Sequence, residues 1–249
     1  MNGSISVQPK FDEIRDRIEQ ELKGQDTGIV KVKFPVKELG KLKVREEIHN
    51  AFNAEIIGDN LFIKHNSGGK EVIHFELVNS FTNQCKNQEK NWLASSNTIC
   101  VVRGIGGREL RPDVGVWFQK PTFPQMFKPL ISLCPHPNVW IEIFYNYEKD
   151  LNHAFENINW LKRNTIDVEF VAMAIPYGVT PFYPNPEPET DMTQAISQLT
   201  KPIRAPYICY WDSNYNEIWY QMEWNRYIAL RCDLVIKFNT VLNILAGNY

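Results

Sequence analysis

The chain is short of the residues that build disulfide frameworks and zinc centres. Its five cysteines, at positions 85, 100, 134, 209 and 232, form no Cys-x-x-Cys pair and are odd in number. This argues for a reduced, intracellular protein, cytoplasmic or nuclear. The five histidines (49, 65, 74, 136 and 153) show no His-Glu-x-x-His spacing, which argues against a zinc hydrolase. No stretch of eighteen apolar residues exists, and the first thirty residues lack the basic start and apolar run of a signal peptide. The expectation is a protein that neither spans a membrane nor is secreted by that route. Charge of one sign is missing too, since 27 Lys and Arg stand against 29 Asp and Glu for a net charge of −2. A chain without overall basicity can touch nucleic acid only through local positive charge.

What is present suffices for a sizeable core. The 249 residues are 43% hydrophobic and 22% charged, ordinary values for a globular protein, and their length suits one domain with an appendage. Phe11 to Lys23 alternates acids and bases around Ile14, Ile18 and Leu22, which predicts a short exposed helix ahead of the domain. Glu71 to about Lys90 reads as an amphipathic helix, with Val72, Phe75, Val78 and Phe81 near helical spacing. His153 to Arg163 reads as a second helix and Val168 to Ala174 as a strand. Between Pro176 and Pro202 a Pro-rich acidic segment reads as a long loop. No internal repeat is visible.

Two segments carry the chemistry. Leu110-Arg111-Pro112-Asp113-Val114-Gly115-Val116 and Val139-Trp140-Ile141-Glu142-Ile143-Phe144 each set one carboxylate into an otherwise apolar, β-prone run. A carboxylate in that setting is costly unless something pairs with it. Two such strands side by side would bring Asp113 and Glu142 to a common point, where oxygen ligands could hold a hard divalent cation. The plainer alternative is an Asp after a Pro at a strand end and a Glu at a sheet edge reaching water.

Pro-Asp followed by Glu-x-x is the pattern of the PD-(D/E)XK nuclease fold, and the chain from about Phe34 to Leu245 resembles one branch of it, the Uma2 family of restriction-endonuclease-like proteins. Phe52 to Ile63 looks like that family's opening hairpin, Tyr207 to Tyr220 its closing hairpin, and Leu234 to Leu245 its final short strand and helix. The resemblance implies an α/β fold with a mixed central β-sheet flanked by helices, an N-terminal extension over residues 1–33 and the nuclease-like domain over 34–249. It further implies Mg²⁺ or Mn²⁺ held by Asp113, Glu142 and the backbone carbonyl of Ile143, and DNA as substrate. Glu55 stands where the family carries a further acid, its alternative being an exposed hairpin carboxylate. The motif lysine is absent: two residues after Glu142 stands Phe144, and the position in the following helix to which this branch moves the lysine is Glu156. A glutamate there could bind a second metal or act as a base. Lys149 and Lys162 flank it, Lys162 being equally explained as a cation at a helix end.

Arg103, Arg108, Arg111 and Lys120 surround the Asp113 strand and are the expected phosphate contacts, with Gly104 to Gly107 as either a phosphate-approaching loop or a turn. Lys31 and Lys33 alternate with Val30, Val32 and Phe34, which fits a solvated strand face better than a DNA stripe. The aromatics between Tyr207 and Tyr227 fit cross-strand packing better than base stacking, and they leave room for a homodimer surface. Two functions are therefore expected to compete: a Mg²⁺-dependent DNA endonuclease weakened by the missing lysine, and an inactive nuclease-fold module that binds nucleic acid or protein.

Overall fold

A computed structural model describes residues 7–23, 28–33, 42–58, 60–65, 68–102, 108–145, 148–176, 205–212 and 214–247. In chain order the elements are α1 (Val7–Leu22), β1 (Gly28–Lys33), α2 (Leu42–Phe52), β2 (Ala54–Ile57), β3 (Asn60–His65), α3 (Gly68–Asn87), β4 (Leu93–Ser96), β5 (Cys100–Val102), β6 (Arg108–Leu110), β7 (Val114–Trp117), α4 (Phe123–Phe127), β8 (Val139–Tyr145), α5 (Glu148–Asn164), β9 (Glu169–Ile175), β10 (Tyr207–Trp211), β11 (Glu217–Gln221), β12 (Tyr227–Ala229), β13 (Val235–Lys237) and α6 (Phe238–Leu245). They fall into two compact units. One comprises Met1–His65, Ile99–Arg111 and Pro121–His136, the other Asn66–Thr98, Pro112–Lys120 and Pro137–Tyr249.

The first unit is built on an antiparallel sheet of order β1-β3-β2-β6-β5. Strand β1 alternates as its sequence demands, with Val30 and Val32 buried and Lys31 exposed. The expected N-terminal extension contributes to this unit: β1 pairs with β3 along its whole length. Helix α1 is not merely exposed, because Ile14 and Ile18 are buried in one cluster with Val30, Val44, Ile48 and Leu61. The β2–β3 hairpin closes over two residues, and Gly58, at φ +58°, supplies the left-handed conformation such a turn needs.

The second unit is a mixed α/β layer whose sheet runs β11-β10-β9-β8-β7-β4. Among the described strands of this sheet only β8 and β9 are parallel, joined by the crossover helix α5. One face is covered by α3 and α6, where Ile73, Leu77, Phe81, Val241 and Leu242 pack on Val139, Ile141, Ile143, Val171 and Met173. On the other face Phe144 meets Phe155 of α5 edge to face at 6.2 Å. Strand β8 is thus buried on both sides, as its apolar run, interrupted only by Glu142, requires. Gly115 is required in β7, since a Cβ there would lie 2.8 Å from the Trp117 ring and 3.1 Å from Pro137.

Two expectations change in detail. The buried stripe of α3 runs through Lys70, Ile73, His74, Leu77 and Phe81, while Phe75 is 61% exposed. Both registers satisfy helical spacing, and the sheet buries the one through Ile73, Leu77 and Phe81. Helix α5 begins at Glu148, so position 149 is helical and lies two turns before Glu156. The glycine-rich loop 104–107 and the Pro-rich segment after Pro176 lie outside the described residues. No helix among those described is long and apolar enough to cross a membrane.

Candidate active site

The Asp113 and Glu142 positions meet through the sheet. In the β7–β8 ladder Val114 faces Ile141, Gly115 faces Trp140 and Val116 faces Val139. Carried one pair further, that register sets Asp113 against Glu142, and one pair beyond sets Pro112 against Ile143. Proline has no N–H to donate. The ladder accordingly stops at Val114, and the side chain of Asp113 takes over, its Oδ2 accepting the Ile143 N–H at 2.6 Å. In a strand the N–H and C=O of one residue point to the same neighbour, so the Ile143 carbonyl also faces the Asp113 strand, where Pro112 offers it no ladder donor.

Asp113 is fully buried, and two residues of α3 face it. Lys70 Nζ lies 3.1 Å from Asp113 Oδ2, and His74 Nε2 lies 3.8 Å from Oδ1. His74 Nδ1 is 3.6 Å from Glu71 Oε2, so both ring nitrogens stand just beyond hydrogen-bonding range of a carboxylate. Glu142 is equally enclosed, and its Oε1 accepts the Trp140 indole N–H at 2.8 Å. Trp140 and Glu142 share the β8 face that carries Phe144 and meets α5. On its buried side α5 presents Asp150, His153 and Asn157, with Asn157 Nδ2 3.1 Å from His153 Nε2.

The other expected site residues are placed differently. Glu55 is not an exposed hairpin carboxylate but fully buried in the first unit. Its Oε1 accepts the Arg111 backbone N–H at 2.9 Å and lies 3.2 Å from Lys64 Nζ, which also donates to the Arg111 carbonyl at 3.0 Å. Arg111, expected at a phosphate, is itself only 5% exposed. Its guanidinium donates to the His49 carbonyl and to Asn53 Oδ1, and burial lowers its pKa to about 10 against the opposing pull of Glu55. Arg45 is tied to Glu109, which also meets His49 Nε2 at 2.8 Å. Lys120 is exposed, Arg108 half-buried in β6, and Arg103 lies outside the described residues. Glu156 is exposed on α5. Lys162 is engaged elsewhere, 5.4 Å from the ring centroids of both Trp211 and Tyr215.

The donor set at the β7–β8 end is made of hard oxygens: two carboxylates and a carbonyl without a ladder donor. Such a set fits Mg²⁺ or Mn²⁺ and suits zinc poorly. No cluster of three or more His, Cys, Asp or Glu side chains among the described residues could hold a metal, so a cation here would depend on the backbone carbonyl as well.

Sequence reasoning missed Lys70 and His74. The signal available was the polar pair at positions 70 and 74 of a helix whose neighbours at 73, 77 and 81 are apolar.

No family model and no curated protein matches the chain. Among solved structures it is similar to the crystal structure of a protein described as a "putative nuclease belonging to DUF820" from Anabaena variabilis ATCC 29413. The TM-score is 0.50 at 13% identity, over 77% of this chain and 90% of that one, so the likeness is one of fold. The fold class shared with that structure is therefore α/β, with a mixed sheet flanked by helices.

Proposed function

We propose that this protein hydrolyses DNA phosphodiester bonds with the help of Mg²⁺ or Mn²⁺ held by Asp113, Glu142 and the Ile143 carbonyl. One observation carries this reading. Pro112 interrupts the β7–β8 ladder at the level of the two carboxylates and leaves the Ile143 carbonyl facing Asp113 without a ladder donor. The solved structure of like fold, itself described as a "putative nuclease", supports the same reading. When bound, the cation would neutralise phosphate charge and make a water oxygen nucleophilic near neutral pH.

Asp113 and Glu142 hold the cation, the indole of Trp140 fixes the Glu142 carboxylate, and the Ile143 N–H fixes that of Asp113. Enclosure of both carboxylates strengthens their electrostatic action on a cation. Of the residues expected at phosphate, Lys120 is exposed and belongs to the same unit as Asp113, whereas the Arg111 guanidinium is used inside the first unit. Glu55 is likewise used there as an acceptor for Arg111 and Lys64. Binding through phosphate contacts weakens steeply with salt.

The test is conversion of supercoiled plasmid DNA to open and linear forms. Cleavage with Mg²⁺ that stops on chelation and is lost in Asp113→Asn is the expected result. Cleavage insensitive to chelator, or undiminished in Asp113→Asn, contradicts the reading. DNA binding without cleavage would assign the chain to the interaction-module class.

A further inference from the structure

We infer that Lys70, on the first turn of α3, is the ammonium of this site and does the work of the lysine that the motif positions 144 and 156 lack. The inference rests on the nuclease reading above. Three features of Lys70 run against what the fold alone would select. It is 6% exposed, and a buried ammonium is costly unless a charge compensates it. It occupies a position on the buried stripe of α3 shared with Ile73, Leu77 and Phe81, where an apolar residue would pack. It also lies in the first helical turn, where the helix dipole disfavours a cation. Its compensation is Asp113, at 3.1 Å. Among the described lysines, Lys162 is held over Trp211 and Tyr215, and Lys64 belongs with Glu55 and the Arg111 carbonyl.

An ammonium presents three N–H donors, of which the Asp113 contact takes one. The others are available to a non-bridging oxygen of a phosphodiester brought up to Asp113. In the hydrolysis a water oxygen bonds to phosphorus and the bond from phosphorus to the leaving ester oxygen breaks, that oxygen keeping the electron pair. The proton lost by water passes to solvent, and the leaving oxygen takes one from it. Lys70 neither gives nor takes a proton, and its charge bears on the non-bridging oxygens as negative charge grows there.

Lys70→Met and Lys70→Gln, with melting curves to confirm folding, are compared with wild type by plasmid cleavage and by Mn²⁺ titration followed through paramagnetic resonance. The expected result is a loss of about a hundred- to a thousandfold in kcat, with KM for DNA within about threefold. Mn²⁺ affinity should be equal or tighter, since Asp113 loses a competing cation. Lys70→Arg should keep the charge but shift it, leaving kcat about tenfold below wild type. A neutral variant that cleaves at the wild-type rate overturns the inference. So does one that loses Mn²⁺ binding in step with kcat, which would make Lys70 a prop for Asp113 only. Should neither neutral variant fold, Lys70→Arg decides: wild-type kcat overturns the inference, and reduced kcat with intact Mn²⁺ binding supports it. Wild-type protein that neither binds Mn²⁺ nor cleaves DNA overturns the nuclease reading itself, and this inference with it.

Discussion

The two compact units each bury charge, and they bury it to different ends. In the first, Glu55, Glu46 and Glu109 are matched by Lys64, Arg111 and the half-buried Arg45, and the bonds run to backbone groups of the same unit: Glu46 accepts the Leu130 N–H at 3.0 Å and Arg111 reaches the His49 carbonyl. Three carboxylates stand against three cations there, as suits a structural staple. In the second unit Lys70 and His74 face Asp113 where the β7–β8 ladder ends at a proline, with Glu142 on the adjoining strand, and the ring nitrogens of His74 lie 3.6 and 3.8 Å from their carboxylates. Burial of charge is common to both units. What singles out the second is a proline at the end of the ladder, which leaves the Ile143 carbonyl without a ladder donor.

The comparison breaks most visibly at Asp113. Asp113→Asn should lower DNA cleavage on the order of a thousandfold and also lower the melting temperature, because Lys70 is left buried without its counter-charge. A folded Asp113→Asn that cleaves normally would show that the second cluster is a staple like the first. The mirror experiment is Arg111→Met. It should cost about 3–5 kcal/mol in denaturant unfolding, the cost of stranding a buried partner, and leave kcat of the folded protein unchanged. A drop in kcat without loss of stability would put Arg111 back among the functional residues.

A sharper cut targets the broken ladder. Pro112→Ala supplies an N–H opposite Ile143, and a hydrogen bond worth about 1 kcal/mol should then compete for the Ile143 carbonyl. Mn²⁺ affinity should fall about fivefold, an amount of that order. Unchanged affinity would remove the carbonyl from the donor set. The smallest effects are expected on α5. Lys162→Ala should cost no more than about 1 kcal/mol through its lost ring contacts, and neither it nor Glu156→Lys should alter cleavage. A gain from Glu156→Lys would restore the helix position as the vacant lysine slot and count against Lys70.

Much of the site's scaffold was legible in the sequence because it follows from short-range pattern. The apolar, β-prone runs around Asp113 and Glu142 read as neighbouring strands, and the Gly58 turn fixes the β2–β3 hairpin. Side-chain partners were not legible, because they depend on which helix register the sheet selects. The stripe Val72, Phe75, Val78, Phe81 is as regular as the one the structure buries, and choosing it turned Lys70 and His74 outward on paper. Arg111 was expected at phosphate and Glu55 as a further acid; their pairing inside the first unit was not legible, although Cys100-Val101-Val102, Glu109-Leu110 and Ala54-Glu55-Ile56 are strands buried along most of their length.

The most direct measurement is anomalous diffraction from crystals grown with Mn²⁺. The account predicts one strong peak in contact with the Asp113 and Glu142 carboxylates and the Ile143 carbonyl, with Lys70 Nζ still beside Asp113 and outside the metal's ligand shell. No peak there at saturating Mn²⁺, or a peak bound only by residues of the first unit, would contradict it.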